Sequence, residues 1–426
     1  MSDFSLFQYL DAAIISDESS EGRASKTPAV WPSESSSVRT DRRFFENYGS
    51  CARKIIYRLI NWPKQENLTA DAPWKWVIGR AVEERLTELC EVAKADIQGI
   101  PESLYVAHGV KQFLPELYLA VEMDVIVRDP KTNKAYIVEC KSYDGYFKEK
   151  QIEQELRPAE ENLMQICQYL WLTKTGQALK QAVLKSLEDR KNLDAIGRPH
   201  RNRTEANLEN LAKIDDGPVG GKLVYLSRGE CKRTEFDISI MQDYDGFHYP
   251  VVNGVPYKLF TIESIFDRTR MIQGFWFRMR QEAHDRLEAR GIVPPPLVNL
   301  LLSRGDVPDD ITQRRDWTSE DWAAEKAYFQ ELEREVRMLP EEFFPPPEYE
   351  WAYQPERIKE LAAAKLLGKT KFEEWQKGKV DRIGDFQCNS CAFAATGCVA
   401  RQRPELAYQL YDISNLSEDV SVRIGA

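Results

Sequence analysis

Residues 121–141, VEMDVIVRDPKTNKAYIVECK, hold two carboxylates and a lysine at a spacing suited to phosphodiester chemistry. The stretch DPKTNK at 129–134 is rich in turn formers and predicts an antiparallel hairpin centred on it. Arg128 then faces Ala135, Ile126 faces Ile137, Asp124 faces Glu139, and Glu122 faces Lys141. Opposed residues share a face, roughly 4.5–5.5 Å apart at Cβ. Asp124, Glu139 and Lys141 therefore meet on one side. Val121, Met123, Val125, Val127, Tyr136, Val138 and Cys140 form an almost wholly apolar opposite side. Two facing carboxylates repel at neutral pH, and a divalent cation relieves that cost. Mg²⁺ suits one or two carboxylates completed by waters and phosphate oxygens. A lysine on the same face can orient or deprotonate the attacking water and stabilise charge at the phosphate. The competing reading is a solvated hairpin face closed by a Glu122–Lys141 ion pair.

A second constellation lies near the C-terminus, where Cys388, Cys391 and Cys398 give C-x2-C-x6-C. Thiolates two residues apart can grip one soft metal centre, and three ligands leave a position open. Cys140 points to the apolar side of the hairpin, Cys167 lies in a helix, and Cys90 and Cys231 have no partner motif. Cys51, in GSCARKIIYRL, is the best fourth ligand. A zinc staple on these four thiolates and an iron–sulfur cluster both fit the spacing.

These groups need elements to hold them. Helical spacing covers 38–61, 76–94 and 158–174, and strand-like alternation covers 118–127 and 135–141. A further strand pair is expected at 223–227 and 233–238. Residues 186–220 are polar without clear periodicity and read as an insertion or long loop, whose RPHRNR run is a solvated basic loop or a phosphate contact. From about Leu259 the chain turns helical and irregular. With 426 residues and 42% hydrophobic residues, there is enough to bury a sizeable core in two or three domains. Residues 1–37 read as a flexible segment. A core domain is expected over 38–240, a helical insertion over 241–384, and a cysteine-bearing tail over 385–426. The net charge of −10 argues against a surface that binds nucleic acid all over, and leaves room for a local basic groove. No apolar run is long enough to span a membrane, and the first residues lack a basic leader, so a cytoplasmic protein is expected. Eight cysteines in a reducing compartment point to metal or catalysis rather than disulfides.

The hairpin EMDVIV…YIVECKS resembles the core of the PD-(D/E)XK nuclease superfamily. The resemblance implies a restriction-endonuclease-like α/β core, a mixed sheet flanked by helices. By resemblance Asp124 and Glu139 bind Mg²⁺ or Mn²⁺, Lys141 is the catalytic lysine, and the backbone carbonyl of Cys140 is a further ligand. IGRAVEERL resembles the first helix motif of the RecB-like branch, with Gly79 matching and Glu83 standing where the family has histidine. Glu83 can still bind metal through oxygen. MQICQYL resembles the Q-x-x-x-Y motif. Gln165 and Tyr169 share a helix face and would orient Lys141 or contact the DNA backbone. One distant N-terminal cysteine plus three clustered C-terminal ones resembles the iron–sulfur RecB-like nucleases, including the CRISPR-associated family and the AddB nuclease domain. That implies a [4Fe–4S] cluster on Cys51, Cys388, Cys391 and Cys398, tying the chain ends together.

The resemblance implies a DNA nuclease acting as an exonuclease on single strands or DNA ends, with DNA-processing protein partners. The alternative is a catalytically weak nuclease-fold subunit that holds DNA or assembles a complex around a structural metal cluster. Gly368-Lys369-Thr370 resembles the end of a phosphate-binding loop, but Ala363 occupies the place of its first glycine, so no ATP binding is expected. The aromatic and basic run FDRTRMIQGFWFRMR reads first as helical core and second as a single-strand-binding face.

Overall fold

A computed structural model describes residues 51–60, 62, 71–114, 117, 119–194, 207–229, 231–294, 318–345, 351–352, 355–363, 369–379, 383–384, 391, 393 and 398. The N-terminal segment, the RPHRNR run, Cys388 and most of 385–426 lie outside them. The described residues fall into two units, one within 68–266 and the other within 37–67, 267–308 and 317–426. Helix α1 (Ala52–Leu59) belongs to the second unit.

The first unit is built on a mixed seven-stranded sheet. Helix α2 (Asp71–Val92) leads into a small antiparallel pair, β1 (Lys94–Ile97) and β2 (Ile100–Ser103). The main sheet follows with β3 (Tyr105–Leu114), β4 (Leu119–Arg128) and β5 (Ala135–Tyr143). A crossover then carries α3 (Tyr146–Glu149), a π turn, α4 (Glu160–Leu172), α5 (Gly176–Asp194) and α6 (Leu208–Lys213). The chain returns as β6 (Gly220–Ser227), β7 (Arg233–Gln242), β8 (His248–Val252) and β9 (Val255–Pro256). The spatial order is β3-β4-β5-β6-β7-β8-β9. Only β5 and β6 run parallel, as their long helical crossover requires. The boundary expected at 240 falls inside β7, and two more strands follow it.

The hairpin register is the one its turn demands, with Arg128 opposite Ala135 and Ile126 opposite Ile137. Asp129 builds the turn by accepting Lys131 N–H at 3.0 Å and Thr132 Oγ1 at 2.7 Å. Asn133 takes φ 60°, a conformation that asparagine tolerates. Buried Arg128 anchors the end of β4 on Asn133, Glu102 and Asn210.

Both faces of the hairpin are covered, which sets aside the competing reading of a solvated hairpin face. Leu86 and Cys90, four apart on α2, pack against Val125, Val138 and Cys140. On the other face Ile126, Ile137 and Glu139 are all fully buried. Helix α4 lies over that face and buries Leu163, Ile166 and Leu170, each contributing roughly 1.5–3 kcal/mol. Its close approach needs Gly221, beside Ile137 in β6. A Cβ there would stand 3.0 Å from both Ile166 Cδ1 and Leu170 Cδ1. Residues 186–194, read as part of a loop, continue α5, and 208–213 form α6.

In the second unit α1 buries Ile55, Ile56, Tyr57 and Leu59. Arg337 Nε donates to the Ile60 carbonyl at 3.0 Å. Helix α7 (Ile262–Ala289), within which the division of units falls, precedes α8 (Ser319–Arg337). His284 Nδ1 and Tyr328 Oη, 2.7 Å apart, join these two helices. The aromatic and basic run of α7 is core at Ile272, Trp276 and Met279. Short elements complete the unit: β10 (Trp351–Ala352), α9 (Pro355–Ala363), α10 (Lys369–Gln376) and β11 (Ile383–Gly384). Among the described residues no helix is long and apolar enough to cross a membrane.

Candidate active site

The β4–β5 ladder runs from Arg128–Ala135 to Val125–Val138 and then gives way. Continued, it would bring Cys140 opposite Met123. Instead the Cys140 N–H donates to Asp124 Oδ2 at 2.9 Å. A strand residue's N–H and C=O point to the same side, so the Cys140 carbonyl also faces the opened gap. On the other flank of β4, Gly109 sits between the pairs His108–Val125 and Val110–Met123 with φ 54°. That conformation, natural for glycine, disturbs β3 where Asp124 needs room.

Glu139 is the centre of the site. Its side chain is 0% exposed, and Lys141 Nζ lies 2.5 Å from its Oε1. Neither Glu139 oxygen accepts a well-aligned hydrogen bond from the protein. Burial, and then the charge of Asp124, push its carboxyl up to about 8 against the pull of Lys141. Burial also raises Asp124, while Lys141 and the Cys140 N–H oppose the rise. Burial works against the charge on Lys141, but Glu139 and Asp124 more than offset it. The amine therefore stays an ammonium at neutral pH, on a side chain that is 23% exposed.

Glu83, half-buried on α2, feels the same charges. Burial and Asp124 raise its carboxyl, and Lys141 and Arg80 lower it. Glu83, Asp124 and Glu139 do not bring their oxygens within 4.8 Å of one another as a set. Glu83 thus borders the Asp124–Glu139 pair. Behind the carboxylates, Gln165 Nε2 donates to Tyr169 Oη at 2.7 Å. Burial, then Glu139 and Asp124, raise the phenol well above its ordinary range. Tyr169 is 1% exposed, which takes it away from any direct contact with a DNA backbone.

Glu122 does not pair with Lys141. Its partner is Lys111, opposite it on β3, with Nζ and Oε2 3.5 Å apart. Sequence reasoning also missed Tyr225, which stands beside Lys141 in the parallel register. Its Oη accepts the Ala159 N–H and Asn162 Nδ2, each at 3.0 Å, and so fixes the start of α4. The alternation of KLVYLS was visible, but no local signal pairs β6 with β5.

The donors suit a hard divalent cation: two carboxylates and a backbone carbonyl, with Glu139 Oε2 buried and given no hydrogen-bond donor by the described residues. The Cys140 thiol is no ligand, being buried in the apolar cluster and raised by that burial.

The cysteines form a separate site in the second unit. Cys51 occupies the N-cap position of α1. One turn on, Tyr57 packs on Phe393 with centroids 5.5 Å apart, and Phe393 lies between Cys391 and Cys398 in sequence. Burial raises the Tyr57 phenol, Arg53 lowers it, and the charge of Cys398 adds to the rise. Cys51 at the helix start and Cys398, whose charge reaches Tyr57, thus lie by the same helix, while the sulfurs of Cys51, Cys391 and Cys398 do not come within 4.8 Å of one another as a set. Beside them Arg53 carries a buried Nη2 without an acceptor. Thiolates and an unused cationic donor suit an anionic metal–sulfur centre.

Among the described residues, one set of three ligand-type side chains has its atoms within 4.8 Å of one another: His284, Asp285 and Glu288 on α7. His284 is engaged by Tyr328, and Asp285 accepts from Gln281, so the set reads as an ordinary helix face.

No family model, curated protein or solved structure matches the chain.

Proposed function

We propose that the chain is a metal-dependent DNA nuclease of the PD-(D/E)XK type, in its RecB-like branch, acting on single-stranded DNA or DNA ends. The observation that carries the reading is Glu139: a fully buried carboxylate beside Asp124, with Oε1 2.5 Å from a lysine ammonium and Oε2 without a hydrogen-bond donor among the described residues. A purely structural pair so deeply buried would be expected to complete its hydrogen bonds.

Asp124, Glu139 and the Cys140 carbonyl would hold Mg²⁺ or Mn²⁺. Such a cation supplies a nucleophilic water at neutral pH and offsets charge on the phosphate. The Cys140 N–H fixes the Asp124 carboxylate by holding Oδ2. Lys141, kept charged by its neighbours, donates hydrogen bonds to the attacking water or to a phosphate oxygen. The buried Gln165–Tyr169 pair lies close enough to the two carboxylates for their charges to raise the Tyr169 phenol. Glu83 adds negative charge at the rim, where the related enzymes use a neutral or cationic histidine. The cysteine site would carry a [4Fe–4S] cluster or zinc, distant in chemistry from the hydrolysis and structural in role.

The test is cleavage of end-labelled single-stranded DNA with Mn²⁺ or Mg²⁺. Wild type is expected to cut and Lys141→Ala to be inert while still binding DNA. Equal rates for the two proteins, or equal rates with and without divalent metal, would overturn the proposal.

A further inference from the structure

Arg53 is a buried charge of the second unit that the described residues leave incompletely used. Its side chain is 1% exposed. Nε donates to the Pro345 carbonyl at 2.8 Å. Nη1 reaches Glu341 Oε2 at 2.5 Å and Tyr57 Oη at 3.4 Å. Nη2 has no acceptor. Burying a guanidinium costs several kcal/mol unless a partner of opposite charge is buried with it. Glu341 is a poor partner of that kind, because it is 36% exposed and its charge is screened by solvent.

The position of this arginine suggests the missing partner. It lies two residues after Cys51, in the first turn of α1. Its neighbour Tyr57 packs on Phe393, between Cys391 and Cys398 in sequence, and lies close enough to Cys398 to feel its charge. We propose that Arg53 is the charge-compensating residue of an anionic metal–thiolate centre built on Cys51, Cys391 and Cys398. The inference rests on the four-cysteine reading; Cys388 lies outside the described residues and carries no part of it. Thiolates around zinc or a [4Fe–4S] core leave a net negative charge. A buried cation and N–H donors to sulfur are what such a centre needs in a low-dielectric setting, and they tune its stability. Iron–sulfur and zinc share this requirement.

The bland account is that Arg53 only ties α1 to residues 341–345. The two accounts differ for Glu341. Charge compensation predicts that Glu341→Ala keeps the metal, since the guanidinium and its charge remain. A tether predicts that Glu341→Ala is as harmful as loss of the arginine.

The experiment uses full-length protein purified anaerobically as wild type, Arg53→Lys, Arg53→Met and Glu341→Ala. Iron, sulfide and zinc per chain are measured, with the rate at which a chelator strips the metal. Colour and sulfide tell a cluster from zinc. Arg53→Met should lose metal at least about tenfold faster than wild type, the size typical of an outer-shell deletion. Arg53→Lys should retain it longer than Arg53→Met, because the charge persists although the fork is lost. Glu341→Ala should match wild type. The proposal is overturned if Arg53→Met holds metal as long as wild type, or if Glu341→Ala releases it as fast as Arg53→Met. Should Arg53→Met fail to fold, Arg53→Lys decides: a folded, metal-poor protein overturns the proposal, and a folded, metal-loaded one supports it. Wild-type protein without metal, and with Cys51 freely alkylated in the native state, would instead overturn the four-cysteine reading itself.

Discussion

Replacing Glu139 with Gln separates the needs of the site from the needs of the fold. The carboxyl is raised from its ordinary 4.5 to about 8, by burial first and by Asp124 second. In the folded protein it keeps its proton up to about pH 8, whereas the unfolded chain releases it above about pH 4.5. Between those values the unfolded state binds fewer protons, so stability falls as pH rises, by about 1.36 kcal/mol per pH unit. Over the whole window this amounts to roughly 3–5 kcal/mol lost by the metal-free wild type. That cost already includes the help of Lys141, whose attraction is part of the raised value. Glu139→Gln keeps the shape and has no proton to lose, and Asp124 remains as the counter-charge of Lys141. The assay is urea unfolding of protein freed of Mg²⁺ and Mn²⁺, at pH 5 and at pH 8. The two proteins should be similar at pH 5. At pH 8 the variant should unfold at a midpoint at least about 1 M higher, given slopes of 1–3 kcal/mol/M. Added Mg²⁺ should close the gap by stabilising only the wild type. A variant no more stable than wild type at pH 8, or a gap of the same size at both pH values, would refute the reasoning.

Three further outcomes follow from named contacts. Glu83→Ala should shift the Mg²⁺ concentration needed for half-maximal cleavage, and Glu83→His should preserve activity; wild-type behaviour of Glu83→Ala across a Mg²⁺ titration would reduce Glu83 to a bystander. Tyr169→Phe removes the acceptor of Gln165 Nε2 and should lower thermal stability by about 1–3 kcal/mol, because a buried amide donor is left unsatisfied; calorimetry of the metal-free protein reads it. Cys51→Ser should reduce bound metal and solubility where Cys231→Ser does not, since Cys51 sits at the helix start and Cys231 lies exposed; metal analysis of the two proteins compares them.

The hairpin was legible because its signals are local. Turn formers at 129–134 and period-2 alternation set the pairing of Arg128 with Ala135 and of Ile126 with Ile137, and hence the approach of Asp124 to Glu139. The helices bearing Glu83 and the Gln165–Tyr169 pair were legible from apolar spacing in the same way. What lay hidden depends on contacts remote in sequence. Glu122 was assigned Lys141 because β3 was not anticipated; YVAHGVKQFL mixes polar residues and a positive-φ glycine, so its alternation is blurred, and Lys111 went unseen. The parallel pairing of β5 with β6 spans a crossover of some 75 residues, which no local pattern encodes, so Tyr225 beside Lys141 was missed. The burial of both hairpin faces was also unreadable, because a polar residue on a strand looks the same whether it meets solvent or a buried cation site. Residues 186–194 carry good helix formers without an apolar stripe, and they read as loop for that reason.

Asp124, Glu139 and Lys141 are proposed to hydrolyse phosphodiester bonds with a divalent cation. The most direct test is end-labelled single-stranded DNA incubated with wild type and with Lys141→Ala, each at a series of Mn²⁺ concentrations. The account predicts metal-dependent shortening by wild type and none by the variant, both proteins being folded by circular dichroism. Undegraded DNA with folded, metal-loaded wild type, or equal shortening by the two proteins, would contradict it.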